Sequence, residues 1–111
     1  MTAPSVEQFE VVKRYILARG DRQTYCAKYN HNPHAGFAGF DAYLDPSIGQ
    51  GNINCDPRIS DFDELVIHDR AAPWMYASAR LADGALACRP DVATVARYFA
   101  AMLAEIAATR G

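Results

Sequence analysis

Apolar residues recur at helical spacing at both ends of this chain, and that bracket limits what the middle can be. Near the N-terminus Val6, Phe9, Val12 and Ile16 form one stripe, with Tyr15 at its margin. Ser5 and Gln8 have the spacing of a capping box, and Pro4 precedes the cap. Glu7 and Glu10 sit near the positive end of the helix dipole and Arg14 and Arg19 near the negative end, with Gly20 as the stop. A second helix is predicted from about Asp91 to Thr109, capped by Asp91 and striped by Val92, Val95, Phe99, Met102, Leu103 and Ile106. Much of its remainder is alanine, which favours helix and leaves a smooth second face that could pack on a copy of itself, so monomer and homodimer both stay open.

Between these helices the pattern shortens to a period of two. Residues 23–29 read as a strand, and 37–44 as another, with Ala38, Phe40, Ala42 and Leu44 on one face and Phe37, Gly39, Asp41 and Tyr43 on the other. The intervening Asn-His-Asn-Pro-His reads as a turn, because Asn32 before Pro33 is pushed away from helical geometry. The two strands would then pair as an antiparallel hairpin. Residues 52–55 suggest a short strand. Ser60 and Asp63 would suit a short helix cap, but Leu65-Val66-Ile67 has buried-strand composition, and a strand over 64–68 is preferred. Asp83-Gly84, flanked by Leu81 and Leu86, predicts a hairpin of 74–82 with 85–88, against a helix started by Pro73 and ended by Gly84.

The resulting expectation is an α+β fold with an N-terminal helix, an antiparallel sheet of four or five short strands and a C-terminal helix. Both helices would cover one face of the sheet and leave the other partly open. With 111 residues, 50% of them hydrophobic and 22% charged, the chain fits one domain over 1–111 that needs no disulfide or metal to build a core. No apolar run approaches the roughly 20 residues of a membrane span, and MTAPSVEQFE lacks the pattern of a secretory signal, so a cytoplasmic location is expected. Cys26, Cys55 and Cys88 are odd in number and widely spaced, which suits reduced thiols. Nine arginines against two lysines, with abundant alanine, is the usage of a GC-rich bacterial genome.

Charge is segregated along the chain. Residues 31–70 carry seven acids, namely Asp41, Asp45, Asp56, Asp61, Asp63, Glu64 and Asp69, against Arg58 and Arg70. The flanking segments are slightly basic. A basic footprint of the kind that binds nucleic acid is lacking, so DNA or RNA is disfavoured as a partner.

Three kinds of chemistry compete for the middle of the chain. Cys26, His31 and His34 offer thiolate and imidazole ligands suited to zinc, with Cys55 or His68 to complete the set. Pro33 between the histidines, and the lack of a compact second ligand pair, favour two solvated loop histidines instead. General acid–base work by a histidine beside Asp41, Asp69 or a cysteine is unsupported by any catalytic fingerprint. Adjacent His68 and Asp69 would point to opposite faces of a strand. The third is a protein-binding face, with Tyr25, Tyr29, Phe37, Tyr43 and Trp74 as aromatic anchors in a charged surround. Turn aspartates are common for backbone reasons alone, which weighs against it.

The preferred expectation is a small binding module of this third kind, in concrete form an immunity protein or antitoxin whose carboxylates occlude a basic, nuclease-type toxin. Its docking residues would be Phe37, Asp41, Tyr43, Asp45, Asp56, Asp61, Asp63 and Glu64, with no catalytic residue and no cofactor. The alternatives are a small His/Cys enzyme or metalloprotein centred on His31, His34 and Cys26, and a dimeric adaptor or secretion chaperone.

Overall fold

The computed structural model describes residues 2–19, 33–45 and 62–110. Its elements are α1 (Val6–Arg19), β1 (His34–Phe37), β2 (Phe40–Asp45), β3 (Glu64–Asp69), β4 (Ala77–Ala82), β5 (Ala85–Arg89) and α2 (Val92–Arg110). The five strands form one antiparallel sheet in the order β1-β2-β3-β4-β5. This is the α+β arrangement that the sequence predicts.

Local signals account for both helices. The Ser5 N–H donates to Gln8 Oε1 at 2.9 Å and the Gln8 N–H donates to Ser5 Oγ at 3.1 Å, which is the reciprocal pair of a capping box. At the start of α2 the Thr94 N–H donates to Asp91 Oδ1 at 2.7 Å, and this bond holds the Asp91 carboxyl below its usual range. In α2 the window Val92–Thr109, with a mean hydropathy of 1.3, is long and apolar enough by length and composition to cross a membrane. That qualifies the expectation that no run reaches such a length. The large apolar side chains of this window, Val95, Phe99, Met102 and Ile106, are buried in the core, and its exposed positions are mainly alanine.

The core lies between one sheet face and both helices. Phe9, Val12 and Ile16 of α1 and the buried stripe of α2 meet Phe37, Phe40, Leu44, Leu65, Ile67 and Leu86 from the strands. Alanines 42, 77 and 79 occupy the centre of this sheet face, so the bulk is supplied from the helix side. Lys13 is also buried, with its ammonium 5.8 Å from the centroid of the Phe9 ring and 3.7 Å from Glu10.

Several expectations are corrected. Residues 37–44 are not one strand. The chain reverses at Ala38-Gly39, where Gly39 takes φ +90°, the sign that a type II turn demands of its second central residue. Phe37 and Phe40 are therefore cross-strand partners with stacked rings 5.3 Å apart, both in the core. β1 and β3 occupy both edges of β2, and residues 23–29, the expected partner of 37–44, lie outside the described residues. His34 begins a strand instead of sitting in a loop, and its ring stacks on Tyr43 at 5.3 Å. The strands expected at 23–29 and 52–55, and the Gly20 stop, lie outside the described residues. The hairpin across Asp83-Gly84 forms as expected, but β4 starts at Ala77, three residues later than predicted, because 70–76 is a double turn.

Candidate protein-binding site

The connection from β3 to β4 leaves the largest aromatic side chain in water. Trp74 is 82% exposed and Tyr76 51%, and both follow Pro73. The backbone that carries them is ordered by two consecutive turns. The Ala72 N–H donates to the Asp69 carbonyl at 3.1 Å, and the Met75 N–H donates to the Ala72 carbonyl at 2.9 Å. Pro73 has its φ preset at the second position of the latter turn, and Trp74 is the next residue. The Asp69 carboxylate reinforces the first turn by accepting from the Ala71 N–H at 2.8 Å.

Asp69 is in turn fastened to α2. Its Oδ2 accepts a hydrogen bond from the Tyr98 hydroxyl, and this bond, followed by that from Ala71, holds the Asp69 carboxyl below its usual range. Burial, and then the same hydrogen bond, push the Tyr98 hydroxyl up to about 12. Tyr98 also meets Phe40 edge-on, with ring centroids 5.0 Å apart.

Next to this loop the β1–β2 turn is clamped from two sides. Arg70 Nη1 lies 2.7 Å from Asp41 Oδ1, while Nη2 donates to the Phe37 carbonyl. The Arg70 N–H donates to the Gly39 carbonyl at 3.0 Å, and from α2 Glu105 Oε2 accepts from the Ala38 N–H at 2.9 Å. Arg70 thus joins the turn that closes β1–β2 to the loop that displays Trp74.

On the sheet face turned away from the helices, register sets the neighbours. One cross-strand row runs His34, Tyr43, Val66, Ser78, Arg89; the next runs Asp45, Glu64, Arg80, Ala87; a third holds Gly36, Asp41 and His68. Carboxylates therefore gather on β2 and β3, and arginines on β4 and β5. The Glu64 carboxylate accepts from the Tyr76 hydroxyl at 3.3 Å.

Of the expected docking residues, Asp41, Tyr43, Asp45 and Glu64 do share this face. Phe37 does not: it is 4% exposed and points into the core, 5.7 Å from the Tyr15 ring. The reversal at Ala38-Gly39 breaks the alternation that had aligned it with Asp41. Asp63 precedes β3, half-buried, and its carbonyl accepts from the Leu81 N–H at 2.8 Å. Asp56 and Asp61 lie outside the described residues, as do Cys26, Cys55 and His31 of the metal alternative. Among the described residues no group of three or more His, Cys, Asp or Glu side chains is placed to hold a metal ion. Cys88 is half-buried, and burial pushes its thiol up, away from the reactive thiolate.

The sequence expectation has Trp74 among the aromatic anchors but in a strand, and it gives Arg70 and Tyr76 no docking role. Asp69 followed by Pro73 is turn chemistry, and that was the available signal. No protein-family model matches the chain, and neither a curated protein nor a solved structure is significantly similar to it.

Proposed function

We propose that the chain is a protein-binding module for a basic partner, with Trp74 as the anchor and the carboxylates of β2 and β3 as its charged surround. The observation that supports this reading is Trp74, 82% exposed on a doubly turned, hydrogen-bonded connection. Leaving so large an apolar side chain in water forgoes roughly 2–3 kcal/mol of burial. A preorganised aromatic loses little entropy on docking, and Trp, Tyr and Arg are the residue types that dominate hot spots. Trp74, Tyr76 and Arg70 supply all three within one loop.

A basic partner suits the surround. Lysine or arginine side chains can stack on the Trp74 ring and reach Glu64, Asp41 or Asp45. The concrete form is an immunity protein or antitoxin that covers the phosphate-binding surface of a nuclease-type toxin. Asp41 is partly neutralised by Arg70, so the aromatic anchor carries more of this reading than the acid count.

Co-expression with the product of the adjacent gene, followed by purification at low and high salt, tests the proposal. A complex that forms at low salt, weakens at high salt and is lost in Trp74→Ala is expected. No complex at low salt, or one indifferent to that substitution, would contradict it.

A further inference from the structure

Across β3, β4 and β5, on the face turned away from the helices, lies a cavity of about 300 Å³ lined by Glu64, Tyr76, Ser78, Arg80, Ala87 and Arg89. Its form follows from the strand register. Ser78 pairs with Arg89 and Arg80 with Ala87, so the two arginines are diagonal neighbours on adjacent strands. The short side chain of Ala87 leaves space beside Arg80. Glu64 lies opposite Arg80 on the other flank but makes no ion pair with it, and its carboxylate is engaged by Tyr76 at 3.3 Å instead. Neither arginine has an ion pair or hydrogen bond among the described residues. Ser78 is only 2% exposed and lines the same cavity.

These features suit an anion. Two diagonal arginines, with backbone separations of about 7–8 Å, can both reach an anion placed between them. A serine hydroxyl lining the same cavity can donate to that anion. We propose that this cavity binds the oxyanion group of a small molecule, a phosphate or a carboxylate, between Arg80 and Arg89 and over the hydroxyl of Ser78. The planar guanidinium fork matches both oxyanions with paired hydrogen bonds. Glu64 and Tyr76 form the opposite wall, where a donor group of the ligand meets the carboxylate. The volume is at the small end of ligand cavities, which limits the ligand to a small metabolite.

Backbone-amide NMR titrations with sodium phosphate, and separately with sodium acetate, test the site against sodium chloride at equal ionic strength. Saturable shifts at Ser78, Arg80, Ala87 and Arg89 are expected. Arg80→Gln and Arg89→Gln should each weaken the response about tenfold or more. The exposed Arg97 of α2 serves as the control, and Arg97→Gln should leave the affinity unchanged. Saturation by phosphate, acetate or both supports the site and identifies its oxyanion. Shifts that merely follow chloride, that map elsewhere, or that survive both substitutions overturn it.

Discussion

The Tyr98 hydroxyl of α2 donates a 2.5 Å hydrogen bond to Asp69 Oδ2 at the end of β3, and so ties a helix on the covered side of the sheet to the loop that displays Trp74. The bond leaves its mark on both groups. Asp69 is lowered from 3.8, so its ionised form is favoured by the fold, and that contribution is complete above 3.8 and lost as pH falls through the folded value. Tyr98 is raised from 10.0 to about 12, so its protonated form is favoured, and that contribution is complete below pH 10 and lost as pH rises towards 12. Tyr98→Phe should therefore lower the melting temperature near neutral pH and flatten the alkaline fall that the parent shows between these limits. Circular dichroism melts across pH read this directly, and an alkaline profile identical in the two proteins would exclude the coupling.

Glu105 and Arg70 clamp the Ala38-Gly39 turn from different directions. Glu105→Ala removes the acceptor for the Ala38 N–H. Hydrogen exchange at that amide should accelerate while global stability changes by only about 1 kcal/mol. Arg70 is half-exposed, so its ion pair with Asp41 is worth about 0–1 kcal/mol and fades with salt. Arg70→Gln should therefore disturb the turn and the Trp74 loop locally with little effect on the global melt. Unchanged exchange at Ala38 in Glu105→Ala would show that the clamp is absent in solution.

Gly39 takes a left-handed φ, and a Cβ built there meets nothing within 4 Å. The cost of Gly39→Ala is then backbone strain alone, about 1 kcal/mol in a denaturant melt. Gly84, with φ +80° and equal space, should behave alike. A neutral or stabilising Gly39→Ala would mean that 37–40 does not form this turn.

The fold was legible wherever its determinants are local. Ser5 and Gln8 cap α1, Asp91 caps α2, and Asp83-Gly84 closes β4–β5, each by bonds or φ values that neighbours in sequence supply. Residues 37–44 misled because Ala38-Gly39 lacks the side-chain signature of a hairpin turn, and alternating small and aromatic residues read through it as one strand. What stabilises that turn comes from Arg70 and Glu105, which are remote in sequence. The candidate site was half legible for the same reason. Alternation places Asp41, Tyr43, Asp45 and Glu64 together, but the order that presents Trp74 depends on Asp69 meeting Tyr98, a contact across 29 residues.

Core and loop should differ sharply in stability. Phe99 of α2 is buried in the core, and Phe99→Ala should cost about 3–5 kcal/mol. Trp74→Ala removes a side chain that the core does not use and should stay within about 0.5 kcal/mol of the parent. Urea unfolding of the two variants checks this. A Trp74→Ala loss comparable to that of Phe99→Ala would place Trp74 in the packed structure.

The chain contains one tryptophan, so its fluorescence reports on the proposed anchor alone. Emission and acrylamide quenching of Trp74 should be those of an exposed indole in the free protein. On titration with the product of the adjacent gene, a blue shift and protection from the quencher are predicted, saturating at a fixed stoichiometry. A complex that forms while Trp74 stays red-shifted and fully quenchable would contradict the role assigned to it.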